Sequence, residues 1–94
     1  MSSEPSLNFT AIDVETANAD LSSICQVGIA TFENGGLKEK WETLVNPEDE
    51  FDGMNVSIHG ITEEAVKSAP LFPAIYEAIC GRLAGRVVVT HTHF

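Results

Sequence analysis

Phe9-Thr10-Ala11-Ile12-Asp13-Val14-Glu15-Thr16 is the stretch around which the chain is organised. It begins apolar and β-prone and closes on two carboxylates two residues apart. Alternate side chains of a strand share a face, so Asp13 and Glu15 point the same way, roughly 7 Å apart along the chain. Two carboxylates at the end of a strand suit hard divalent cations such as Mg²⁺ or Mn²⁺. A pair of such ions about 4 Å apart can clamp a phosphodiester for in-line attack by water. An Asp-x-Glu triplet alone also fits a strand that ends in a solvated loop, so the rest of the chain has to decide.

Working outward, Leu7 to Val14 reads as the first strand, with Leu7, Phe9, Ala11 and Asp13 on one face and Asn8, Thr10, Ile12 and Val14 on the other. Thr16 to Ser23 is small and polar, a loop expected to leave the carboxylates open to solvent. Ile24 to Glu33 is β-branched and apolar, a second strand whose Gly28 suggests close approach by a backbone or a ligand. Asn34-Gly35-Gly36 signals a hairpin, and Leu37 to Asn46 alternates as a third, antiparallel strand with an exposed charged face. Those charges blunt a sheet edge.

Asn46-Pro47 stops that strand, because proline restricts the residue before it. Glu48 to Gly53 reads as an acidic solvated turn, and Val56 to Gly60 as a short link carrying His59. Thr62 followed by Glu63 and Glu64 predicts a short helix to Lys67. Phe72, Ile75, Tyr76, Ile79 and Leu83 fall at helical spacing, so a second helix packs this stripe, Tyr76 included, on a sheet, with Gly85 as its stop. Val87-Val88-Val89 predicts a strand buried on both faces and parallel to the first, reached through a right-handed crossover.

The bulk numbers set limits. A chain of 94 residues supports one small domain, spanning 1–94, with the polar segment 1–6 expected to fray. Its net charge of −9 argues against a free-standing nucleic-acid binder that relies on a basic surface. It is compatible with an enzyme that meets phosphates through bound cations. Cys25 and Cys80 sit in apolar patterns and read as buried free thiols. No run approaches the roughly 20 apolar residues of a membrane span, and the start has no signal-peptide pattern. A cytoplasmic protein without membrane contact is expected.

Four separated segments line up with one family. Phe9 to Thr16 resembles the first motif of the DEDD-type 3′–5′ exonucleases, in the group related to the proofreading subunit (epsilon) of bacterial DNA polymerase III. Ile24-Cys25-Gln26-Val27-Gly28 looks like that group's second strand. Asn46-Pro47 with Ile58-His59-Gly60-Ile61-Thr62 looks like its Asn-Pro and His-Gly-Ile-Thr segments, and Val87 to Phe94 like the start of its second motif. The resemblance implies an α/β, ribonuclease-H-like mixed sheet with strand order 3-2-1-4, here about half of the family's domain. It implies metal ligation and catalysis by Asp13 and Glu15. Thr16 would lie by the terminal nucleotide, and His59, Gly60 and Ile61 would wall the pocket. Read without the family, His59 is a turn histidine with a local hydrogen bond.

The implied activity is metal-dependent hydrolysis from the 3′ end of DNA or RNA to nucleoside 5′-monophosphates, with Mg²⁺ or Mn²⁺, and association with a DNA polymerase. The departures are specific. The family's second-motif Asp follows a phenylalanine, and here Phe94 is the last residue; the third motif, with the catalytic His, does not occur. The 94-residue chain is therefore expected to be inactive alone. His91 and His93 could also be read as a His-x-His metal pair, although no third ligand is in view. A reading from another class is a non-catalytic association module of the same fold. Its open strand edge at Val87 to Val89 predicts a homodimer or higher oligomer.

Overall fold

The computed structural model describes residues 7–91, for His91 the backbone only; the segment 1–6, the His91/His93 side-chain pair and Phe94 lie outside the described residues. The elements run β1 (Phe9–Thr16), β2 (Ile24–Glu33), β3 (Gly36–Leu44), α1 (Gly53–His59), a 3-10 turn (Glu64–Val66), α2 (Phe72–Leu83) and β4 (Val88–His91). One mixed sheet results, in the order β3-β2-β1-β4, which is the expected 3-2-1-4. β1 pairs antiparallel with β2, and β2 with β3. The turn between β2 and β3 holds Asn34 at φ 53° and Gly35 at φ 80°, the two left-handed residues of a type I′ turn whose twist matches the flanking strands. β4 lies parallel to β1, from Thr10 opposite Val88 to Asp13 opposite His91. The Thr10 N–H donates to the Val87 carbonyl at 2.8 Å and starts that pairing.

α2 crosses one face of the sheet. Its Ile75 and Ile79 bury against Val27, Ile29 and Val45, with Ile12, Val14, Trp41 and Leu83 around them. Each fully buried aliphatic side chain there contributes roughly 1.5–3 kcal/mol. Arg82 on α2 lies 4.4 Å over the Trp41 ring, a cation–π contact that ties the helix to β3. A second cluster, Cys25 with Ile61 and Val66, packs beneath the segment after α1, with Leu44, Phe51 and Ala69 at its rim.

Several expectations are corrected. β1 runs two residues further than Val14, so Asp13 and Glu15 lie inside the strand and not at its end. β3 stops at Leu44, short of Asn46. The link read over 56–60 is the second half of a helix, α1; the helix expected after Thr62 is only a 3-10 turn. Tyr76 is 56% exposed, since only Ile75 and Ile79 of the apolar stripe face the sheet squarely. Val87, Val88 and Val89 are 64%, 40% and 49% exposed, so the run is not buried on both faces; β4 is also an edge strand, paired with β1 alone among the described residues. Cys25 is buried but Cys80, on the outer side of α2, is exposed; both are free thiols.

Candidate functional site

Ile12 and Val14 face the α2 side of the sheet, so strand alternation sends Asp13 and Glu15 to the other face. Asp13 stands opposite Gly28 and Glu15 opposite Gln26. The two carboxylates were expected to open to solvent; both residues are half-buried, and Asp13 Oδ1 is buried with no hydrogen-bond partner among the described residues. A buried carboxylate oxygen left unpaired costs free energy unless a cation or water meets it.

The register shifts between Glu15 and Thr16, so that Thr16 pairs with Ile24. Such a bulge re-aims the side chains beside it. The loop beyond it is tightly tied. Ala17 N–H donates to Ser23 O at 2.8 Å, Asn18 N–H to Ser23 Oγ at 3.1 Å, and Asp20 N–H to Asn18 Oδ1 at 2.8 Å. The backbone N–H and then the hydroxyl of Ser22 both donate to Asp20 Oδ1 and hold its carboxyl below the usual carboxylate range.

α1 docks on this loop. Asp52 caps the helix, its Oδ1 accepting from Met54 N–H at 2.8 Å, while its own N–H donates to Ala17 O at 2.8 Å. Gly60 ends the helix at φ 73°, a left-handed conformation that glycine adopts without strain. Between these stops the helix presents Asn55 and His59, one turn apart, toward the end of β1. His59 Nδ1 accepts from Ile61 N–H at 3.0 Å, which leaves Nε2–H to donate to the Thr16 carbonyl at 2.9 Å. Both ring nitrogens are thereby engaged in a neutral imidazole. The Asn55 amide nitrogen lies 3.2 Å from Thr16 O, 3.3 Å from Thr16 Oγ1 and 3.2 Å from Asn18 O. The Thr16 hydroxyl donates to Asn18 O at 2.9 Å.

These residues line a cavity of about 310 Å³, the lower end of ligand-sized pockets. Glu15, Thr16, Asn18, Asn55 and His59 supply its polar wall. Leu21, Met54 and Ile58 border it at 71%, 69% and 60% exposure, an unusually bare apolar rim. Gly60 and Ile61 stand behind: Gly60 shapes the turn, and Ile61 is buried against the Cys25 cluster. Cys25 lies under the carboxylate end; burial, followed by the Glu15 charge, pushes its thiol up to about 11. Asn18, Asn55 and the rim residues escape a reading of the sequence for motifs. The one available signal is the Asp52/Gly60 pair, a cap and a left-handed stop bracketing a short helix.

Asp13 and Glu15 are hard oxygen donors, and the unpaired Oδ1 fits a divalent cation. They make an incomplete ligand set: among the described residues no group of three or more His, Cys, Asp and Glu side chains comes together to hold a metal ion. A wider groove of about 1010 Å³ elsewhere carries Glu48, Asp49, Glu50, Glu63 and Glu64 against Lys67 alone, a field that repels phosphates. No helix among the described residues is long and apolar enough to cross a membrane.

Three comparisons bear on this geometry. The sequence profile of the exonuclease family RNase_T matches residues 10–94. The chain is 30% identical over 93 residues to the PolC-type DNA polymerase III of Caldanaerobacter subterraneus subsp. tengcongensis, covering 95% of this chain and 7% of that protein. It is 29% identical over 85 residues to the DNA polymerase III subunit epsilon of Treponema pallidum, covering 88% of this chain and 40% of that one. Among solved structures it superposes on exonuclease X in complex with 5′-overhanging duplex DNA at a TM-score of 0.72 and 25% identity, over 88% of this chain and 48% of that one. A 3′-exonuclease solved with a histone mRNA stem-loop shares the fold at a TM-score of 0.68 and 17% identity, over 92% of this chain and 45% of that one. The chain spans less than half the length of each of these relatives.

Proposed function

The chain belongs to the RNase_T exonuclease family, and from that premise we propose that it carries the first-motif side of a metal-dependent 3′–5′ exonuclease site. The observation that carries the reading is the buried Asp13 Oδ1, unpaired among the described residues, beside Glu15 on one face of β1. Asp13 and Glu15 would hold Mg²⁺ or Mn²⁺. Such ions, when bound, would offset the charge between a phosphodiester and this acidic surface and would activate a water for attack. The chain's own residues bind and orient. The Thr16 hydroxyl oxygen and the ring face of His59 receive the sugar of the terminal nucleotide, and the rim of Leu21, Met54 and Ile58 covers its base and excludes water. Gly60 and Ile61 act from behind by fixing the imidazole, through the helix stop and the Ile61 N–H. The products are nucleoside 5′-monophosphates. DNA is the favoured polymer and a polymerase III assembly the favoured setting, in the cytoplasm, because the relatives include polymerase III proteins and a nuclease bound to duplex DNA.

The 94-residue chain alone is expected to hydrolyse poorly. Two carboxylates hold a cation weakly, and His59, the one histidine lining the pocket among the described residues, has both nitrogens committed. The direct test is therefore binding. Calorimetric titration with Mn²⁺ should show a site in the chain that Asp13→Ala abolishes. Equal binding by both, or by neither, sinks the reading.

A second reading rests on one observation, the exposed valines of β4 beside the edge that no strand among the described residues flanks. Such an edge pairs readily with another copy, so the chain would act by association as a homodimer or higher oligomer. Light scattering decides it: a monodisperse monomer of 10.1 kDa excludes it.

A further inference from the structure

We propose that Asn55 is a positioning residue that sets the nucleotide-facing end of β1; the proposal rests on the pocket reading above and adds the device that holds the pocket's wall in place. The register shift between Glu15 and Thr16, where Cys25 of β2 has no partner on β1, interrupts the regular ladder at the end of β1. A strand end beyond such a break needs other partners for its backbone groups. α1 supplies them from a segment 39 residues away in sequence. The Thr16 carbonyl has two lone pairs, and the Asn55 amide and the His59 imidazole, one helical turn apart, each take one. Asn55 does more than duplicate His59. Its amide has two N–H groups for three oxygens, Thr16 O, Thr16 Oγ1 at 3.3 Å and Asn18 O, so that one is shared; the hydroxyl oxygen accepts from Asn55 while its own proton goes to Asn18 O. The Thr16 hydroxyl proton is thereby committed, and the oxygen keeps only acceptor capacity. The amide's contact to Asn18 O ties Asn55 to the loop carrying Leu21. One side chain thus couples the strand end, the Thr16 rotamer and the apolar rim.

Asn55 is half-buried on a short helix with no fully buried residue of its own, so the fold does not depend on its packing. Two readouts on the full chain separate this role from a structural one and from the pocket reading. The first is amide hydrogen exchange without any ligand, in wild type, Asn55→Ala and Asn55→Asp. Aspartate keeps the size but removes both donors. Exchange at Ala17 and Asn18 should rise about tenfold in both variants, as expected for roughly one lost hydrogen bond, while Ile29 in the core stays unchanged. The second is titration with thymidine 5′-monophosphate followed by the same amide signals, where both variants should bind about tenfold more weakly than wild type. Unchanged exchange at Ala17 and Asn18 overturns the proposal, as does a rise that includes Ile29. If wild type binds no nucleotide, the pocket reading fails, and the exchange result alone then decides whether Asn55 holds the strand end.

Discussion

Gly28→Val should leave the fold intact, or strengthen it, and yet close the proposed cation site. Gly28 lies directly across the ladder from Asp13, in the middle of β2. A Cβ built there meets only the Asp13 carbonyl oxygen and Glu42 Cβ, both at 3.9 Å, which is ordinary van der Waals contact. Nothing comes closer than 3.9 Å to that Cβ position. Relieving the chain entropy of a strand glycine contributes about 0.5–1 kcal/mol, and valine favours the pleated surface. For a domain of this size that raises the unfolding midpoint by roughly 4–8 °C at best. The new side chain shares a face with the Asp13 carboxylate. Directly opposed Cβ atoms stand about 4.5–5.5 Å apart, so the valine methyls come within about 4 Å of the carboxylate. A cation at about 2.1 Å from that oxygen, with its own water shell, no longer fits. Mn²⁺ affinity should fall at least tenfold, about 1.4 kcal/mol. Thermal unfolding and calorimetry on one preparation check both halves. If Gly28→Val binds Mn²⁺ as wild type does, the cation does not sit over Asp13 on this face. If the midpoint falls by more than about 5 °C, the space above Gly28 is not open.

His59→Ala removes the donor to Thr16 O and the acceptor for Ile61 N–H, and should cost roughly 1–3 kcal/mol in urea unfolding and weaken nucleotide binding; an unchanged midpoint would mean that neither bond holds in solution. Ile29→Ala opens a cavity under α2 and should cost about 2–5 kcal/mol, the largest single loss among these variants. A disulfide reagent should label exposed Cys80 rapidly and Cys25 only on unfolding. Cys25 also gives stability a pH dependence. Its folded thiol titrates at about 11 against an ordinary 9.0, so above pH 9 the unfolded chain loses that proton first. The contribution is whole below pH 9 and is lost as pH rises through 11, up to roughly 2–3 kcal/mol. Cys25→Ala should remove that share of the alkaline slope, and a slope identical to wild type would contradict it.

The strands, their order and the carboxylate pair were legible because each is written locally. Alternation marks β1 to β3, Asn34-Gly35 marks the hairpin, and the helical stripe before Val87 dictates a crossover and hence a parallel β4. The two-residue spacing of Asp13 and Glu15 places them on one face whatever lies around them. The resemblance of four ordered segments then carried the family, and the matching of residues 10–94 to the exonuclease profile agrees with it.

What tertiary structure alone decided has no local signature. The apolar run at Val87 to Val89 predicted burial, but burial depends on what lies on the other side of a strand, and there the valines are bare. The same holds for Tyr76 and Cys80, which share helical spacing with core residues but rotate off the contact. α1 was missed because seven residues with no fully buried member carry no periodic stripe; docking on the Ala17 loop holds it. The pocket followed from that docking. Asn55 and His59 reach Thr16 across 39 and 43 residues of sequence, a distance over which only packing, and no pattern in the chain, brings side chains together.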